Sequence, residues 1–417
     1  MHKKELQKET QNKLLFILLI TIFILLLFWG NYQFAKEQPG GTDFLYRWLP
    51  TRLVTFENYQ NPYSPAVEYQ VELMHHGHAH QENETPGIFA YPYYTMLVFL
   101  PFAFIEDFLV ARAAWMTVME LAHLSILFLT LKMINFNPSK FAIFALLLFS
   151  LFNADFAQAL IDGNPSSLAT LFAVLALFFI YRRSDGLAGI FLALSTIKPQ
   201  LVILFFALIW LWAFSKQRWR IIYSSLLTLI LLLGISFVLQ PSWFSEFIND
   251  LTTYTNVASP STPNEILTYW MPSSLATKIA WVGTALSILI VLRTVSFYLG
   301  KDFLTLLWST SLIFTVMPLT GITSAKSNYI TMLPGVILLL WYGIEKKRIK
   351  EIWLISFLLI WIGLSWFFFY GGRNWFVNDR LIYFVDFYPL PILLLALYFL
   401  VGPFKNRKKY SDGNINN

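Results

Sequence analysis

Residues 14–30 read LLFILLITIFILLLFWG, with no charged side chain among them. An α-helix needs about 17–25 apolar residues to cross a hydrocarbon core about 30 Å thick, so this run has the length of a membrane span. Lipid offers the backbone no hydrogen-bond partner, so a spanning segment must be a helix or part of a closed barrel. Nothing in the chain alternates like barrel strands, which leaves helices. The preceding MHKKELQKETQNK resembles the basic start of a secretory signal, but no small-residue cleavage site follows Trp29. The run is therefore read as a retained first helix behind a cytoplasmic tail, residues 1–13.

The rest of the sequence extends that reading. Of 417 residues, 57% are hydrophobic and 13% charged, with 40 Phe and 15 Trp, a composition that excludes a soluble domain of this size. The absence of cysteine excludes disulfides and thiol catalysis. Twelve apolar segments are predicted, at 14–30, 110–131, 140–158, 166–181, 187–197, 199–214, 220–239, 275–293, 302–319, 328–343, 352–370 and 382–402. The fold class is all-α and polytopic. With both ends cytoplasmic, the inner side collects 21 of the 30 basic residues, as the positive-inside rule requires. The net charge of +6 is explained by orientation and implies no nucleic-acid partner.

Two long outer loops result, at 31–109 and 240–274, and a basic cytoplasmic tail at 403–417. Little chain is left on the cytoplasmic side, so chemistry is expected to face outward. Within the first loop, GIFAYPYYTMLVFLPFAFIEDF (87–108) is apolar but broken by Pro92 and Pro101. Counting it as a span would put Arg182 and Arg183 on the wrong side, so it is read as an interfacial or re-entrant helix. Such a loop suits a substrate whose tail stays in the bilayer.

The same loop opens with GGTDFLYRWLPTRLVTFENYQNPYSP (40–65). Two readings of Asp43 stand. It is a first-turn helix residue paired with Arg47 four positions on, or it is a general base for an attacking hydroxyl. Phe44, Tyr46 and Trp48 beside it would offer sugar-stacking faces and a lipid anchor. Asn61-Pro62-Tyr63 and Pro65 mark a turn after that helix. His75, His76, His78 and His80 can ligate a metal in principle, but no cysteine joins them and a solvated loop insertion is the simpler reading. Glu120 and His123 lie three apart within the second span, as a functional site or a mutually bonded interior pair. Asp155 and Asp162 lie at the outer rim before a helix break at GNPSS (163–167), where serine caps are expected, and an acidic residue here is a second catalytic or orienting carboxylate or part of a plain turn. Lys198, before Pro199, divides the fifth and sixth segments and is expected exposed on the outer side, where a lysine suits a phosphate or simply snorkels to the interface.

In this order, the Asp-and-aromatic stretch ending in Asn-Pro-Tyr, then YPYYTMLVFLP (91–101), then GNPSSLATLF and the LAGIFLALSTIKPQ run (187–200) resemble the polytopic GT-C glycosyltransferases. The resemblance is to family 87, the polyprenyl-phosphate-mannose-dependent group. It implies transfer of a hexose, mannose by analogy, from a polyprenyl-phosphate sugar to a lipid- or glycan-linked acceptor hydroxyl. The transfer would take place on the outer face of the cytoplasmic membrane, with inversion. Asp43 takes the role of base, and Lys198 that of donor-phosphate ligand. Gly163-Asn164 stands where the family shows Gly-Gln. Asn328 stands near where it shows a His after a Ser-rich turn, with Lys326 beside it as a second phosphate contact. Substrate contacts are expected from Tyr46, Arg47, Tyr63, Tyr91, Asp162, Asn164 and Asn328. No cofactor is expected, and without paired carboxylates near Asp43 no metal. The rival readings are a twelve-span secondary transporter, with Glu120 and His123 carrying protons, and a glycan polymerase or ligase. No repeat relates the two halves, and the longest loop is the first, which counts against both.

Overall fold

The computed structural model describes residues 2–81, 84, 86–257, 262–320, 325–371 and 387–401. The tail 403–417, most of the 371–381 connection, residues 321–324, 258–261, Glu82 and Asn83, and positions 382–386 and 402 of the last segment lie outside them. The described residues are helical, with no strand. In chain order the helices begin α1 (His2–Glu37), α2 (Thr42–Phe56), α3 (Pro65–His76), α4 (Met96–Ala103), α5 (Phe108–Met133) and α6 (Lys140–Phe152). They continue α7 (Ala154–Asp162), α8 (Ser166–Tyr181), α9 (Asp185–Leu194), α10 (Pro199–Ser215), α11 (Trp219–Leu239) and α12 (Trp243–Val257). The last are α13 (Pro263–Thr268), α14 (Ser273–Tyr298), α15 (Phe303–Val316), α16 (Leu333–Glu345), α17 (Glu351–Trp366) and α18 (Pro389–Val401).

Every described part of the twelve apolar segments falls on a helix or its flanking turn. By length and composition six of these helices suffice to cross a membrane, or seven if α6 and α7, bent by 49° at Asn153, are one span. The remaining apolar helices, among them 166–181, 185–197, 199–215 and 303–319, have 17 residues or fewer, so length does not establish the expected count of twelve spans. The apolar part of the first loop forms only 93–103, about 17 Å of helix against a core of about 30 Å.

The chain divides into two compact units. One comprises residues 1–89, 95–121 and 160–164. Its α1 runs unbroken past its apolar stretch, and beyond that stretch Asn31 donates to Thr117 Oγ1 (3.1 Å) and Glu120 Oε2 (2.8 Å). α2 starts at Gly41, whose φ of +80° suits glycine, and stops where Asn58 turns to +61°. Phe44 is fully buried, its ring against Trp115 (5.6 Å), Phe99 (6.1 Å), Phe102 (6.2 Å) and Phe108 (6.1 Å). Trp48 Nε1 donates to the Phe102 carbonyl at 2.9 Å, satisfying the indole that this core buries. The rings of Phe44, Tyr46 and Trp48, expected to present open faces, are instead buried. Aromatic area of this size gains more from packing than from exposure.

The other unit holds residues 90–94, 122–159 and 165–417. At its tightest helix crossing, Gly189 of α9 meets α11. A Cβ there would lie 2.4 Å from the Ile221 carbonyl oxygen and 2.7 Å from the Ser225 nitrogen. At the N-terminal end of α9, Arg218 Nε binds Asp185 (3.0 Å) and its Nη2 reaches the Ile180 carbonyl (3.1 Å). Gly189→Ala is expected to push α11 away and cost about 1–3 kcal/mol, seen as a lower unfolding temperature in detergent. Gly186→Ala, one turn earlier with open space around it, is the control expected to leave that temperature unchanged or slightly higher. Equal melting of the two variants would mean that this crossing is not tight.

Candidate active site

Asp43 stands in the first turn of α2 and is about one-fifth exposed. Both carboxylate oxygens are held. Arg47 Nη1 donates to Oδ1 at 2.9 Å, and Asn164 Nδ2 donates to Oδ2 at 2.7 Å. The predicted i,i+4 pair with Arg47 is therefore present, and its guanidinium is buried at 3% exposure. A carboxylate offers about four lone pairs, so two donors leave it able to accept another proton-bearing group.

Gly163 explains how Asn164 reaches a helix 121 positions earlier in the chain. Its φ is +71°, and a Cβ there would lie 2.5 Å from the Phe44 Cβ, so only glycine brings the backbone this close. Trp115 Nε1 donates to the Gly163 carbonyl at 2.8 Å and fixes the turn. The Gly-Asn pair is thus seated on the residue next to Asp43. Asp162, which precedes it, is half-buried, and its charge acts on Arg112.

QNPYSP is both a stop and a start. Asn61 Oδ1 accepts from the Tyr63 amide (3.0 Å), closing an Asx turn, and Ser64 caps α3, whose first residue is Pro65. The Tyr63 ring packs edge-on against Phe89 at 5.5 Å. Along α3, His75 Nδ1 lies 3.0 Å from the Tyr46 hydroxyl and its Nε2 3.3 Å from Thr42 Oγ1. Burial, with the neighbouring His76 adding to it, holds His75 below the ordinary histidine range, while Glu84 opposes that. Among the described residues no group of three or more His, Asp or Glu is arranged to hold a metal ion.

A second polar cluster lies in the other unit. Lys198 follows a 3₁₀ turn, Ser195–Ile197, and precedes Pro199, which disfavours helical backbone at the residue before it; its φ and ψ are −130° and 80°. The chain breaks there as expected. The side chain, however, is 3% exposed, which corrects the expectation of an exposed lysine. Its ammonium donates to Ser166 Oγ (2.8 Å) and Asn328 Oδ1 (2.6 Å), and Ser166 donates to the same Asn328 oxygen (2.7 Å). An ammonium inside a membrane protein is costly unless polar atoms replace its water, and these do.

Around it, the Tyr94 hydroxyl donates to the Thr196 carbonyl and lies 3.0 Å from Thr196 Oγ1. The YPYY segment, with Tyr91 buried, is thus tied to the Lys-Pro junction. Asp250 of α12 accepts from the Ala90 amide at 3.4 Å, a contact no sequence signal announces. Lys326 pairs with Asp155 at 3.5 Å and sits 5.4 Å from the Phe369 ring centre. Ser166 and Ser167 do not cap α8; the N-cap is Pro165, and the serines serve tertiary bonds instead. Ser167 Oγ meets His123 Nε2 at 2.8 Å, and His123 Nδ1 meets the Ser150 carbonyl at 2.8 Å. Glu120 binds Asn31, so the two are not the mutually bonded pair considered from their spacing.

The helical fold, with several helices long and apolar enough to cross a membrane, is that of a polytopic membrane protein. The family model of glycosyltransferase family 87 matches residues 89–320, more than half of the chain, and the chain belongs to that family: it is a glycosyltransferase. Gly163, Asn164 and Lys198 fall within the match, whereas Asp43, Lys326 and Asn328 fall outside it. No curated protein and no solved structure matches the chain.

Proposed function

We propose that the enzyme transfers a hexose, mannose in the first instance, from a polyprenyl-phosphate donor to an acceptor hydroxyl on a lipid- or glycan-linked sugar. In this reading it works at the outer face of the cytoplasmic membrane. Asp43 takes the proton of the attacking hydroxyl, whose oxygen forms a bond to the anomeric carbon from the face opposite the phosphate. The bond from that carbon to the phosphate oxygen breaks, and polyprenyl phosphate leaves with the electron pair. The Lys198 ammonium, with Asn328 and Ser166 fixing it, meets the leaving charge. Because attack and departure are on opposite faces, the product is inverted.

One observation carries the reading. The Asp43 carboxylate is about one-fifth exposed, is held by Arg47 and Asn164, and keeps lone pairs for a further proton-bearing group. The test is transfer by the purified full chain in lipid nanodiscs. Radiolabelled polyprenyl-phosphate mannose, polyprenyl-phosphate glucose and a nucleotide-linked mannose are offered with octyl mannoside and octyl glucoside as acceptors. Label is expected in the octyl glycoside from a polyprenyl-phosphate donor and not from the nucleotide sugar. Transfer from the nucleotide sugar alone would overturn the donor assignment.

A further inference from the structure

Arg112 is spent on neither a substrate-like position nor a surface. It is 1% exposed, near the start of a membrane-spanning helix, where an arginine is expensive unless its donors are used. Nη1 donates to the Gln38 carbonyl at 3.0 Å, and Nη2 donates to the Ile161 carbonyl at 3.2 Å. Nε is buried with no acceptor among the described residues, a cost retained with the arginine. Gly40 and Gly41 lie directly on this side chain. A Cβ on either would come within 2.9 Å and 2.7 Å of it, respectively, and both glycines have positive φ.

The two carbonyls are not arbitrary. Gln38 opens the connection that leads from α1 into the first turn of α2, where Asp43 stands. Ile161 lies in the last turn of α7, the helix that leads into Gly163 and Asn164. The planar guanidinium therefore fastens both approaches to the Asp43–Asn164 hydrogen bond with one rigid group. We infer that Arg112 is a positioning residue, which sets the placement of the Asp43 carboxylate by clamping these two segments together. The part of this that concerns rate rests on the reading of Asp43 as base; the clamp itself does not.

The experiment uses the full chain in nanodiscs as wild type, Arg112→Gln, Arg112→Lys, Asp43→Asn and the double variant Arg112→Gln with Asp43→Asn. With polyprenyl-phosphate mannose and octyl mannoside as probes, Arg112→Gln is expected to lower kcat about 10- to 100-fold with little change in donor KM, since small misplacements of a reacting group cost that much. Arg112→Lys is expected not to rescue, because a point charge cannot reach both carbonyls. In the Asp43→Asn background the Arg112 change is expected to add no further loss. Hydrogen exchange is expected to quicken at residues 39–45 and 161–164 in Arg112→Gln while the amides of α8 stay protected. Additive losses in the double variant, or exchange unchanged at those two segments, would overturn the proposal. If wild type transfers no sugar, the proposed function falls and exchange alone decides the clamp. If Arg112→Gln does not fold, Gly41→Ala, which displaces the guanidinium without removing its charge, is expected to give the same exchange pattern.

Discussion

Asp43→Asn is expected to slow sugar transfer by about 10²–10⁴-fold, the usual worth of a positioned general base. The substitution is nearly isosteric, and its amide oxygen can still accept from Arg47. The fully buried Phe44 ring next in the chain keeps α2 anchored. Loss of rate should therefore come with an unchanged unfolding temperature and donor KM. Asp43→Glu, which keeps the base but lengthens its reach past Asn164, is expected to fall between. Equal transfer by wild type and Asp43→Asn would remove this carboxylate from the chemistry and leave it the first-turn residue that its place in α2 also explains.

Lys198→Gln is expected to lower kcat by about 10²–10³-fold, comparable with removing one group that stabilises developing charge. Glutamine is the informative replacement because its amide can still donate to Ser166 and Asn328, so the variant removes charge while keeping much of the network. Lys198→Met leaves the Asn328 oxygen without this donor and should add a stability loss of about 1–3 kcal/mol. A thermal-shift series therefore separates the two effects. The charge reading requires Lys198→Gln to melt near wild type yet transfer poorly. A Lys198→Gln variant with full rate would reduce the lysine to a structural member of its cluster.

Much of the fold could be read from the chain because lipid enforces helices. An uninterrupted apolar run has no other way to satisfy its backbone, and Pro199 marks its own break. The number of spans could not be read in the same way. Segments such as 187–197 are apolar but short, so composition identifies a helix without saying that it crosses. Asp43 and its Arg47 partner were legible from a local spacing. The grip of Asn164 on Asp43, of Asn328 on Lys198 and of Asp155 on Lys326 was not, because each is made by helix packing between distant positions. The aromatic residues around Asp43 misled for a related reason. A ring that could stack on a sugar is also the ring that best fills a core, and sequence alone does not show which neighbours arrive.

Gly41 and Gly163 have a consequence for how this enzyme is to be found elsewhere. Each has a left-handed backbone and leaves no room for a side chain, the first against Arg112 and the second against Phe44. A working copy of the site must therefore spell glycine twice, once two letters before the aspartate and once directly before the amide that holds it. Hydropathy blurs as membrane proteins diverge, since one apolar residue replaces another freely. The paired words Gly-Thr-Asp and Gly followed by a side-chain amide, with an arginine between them, form a sparse signature that such drift would leave intact.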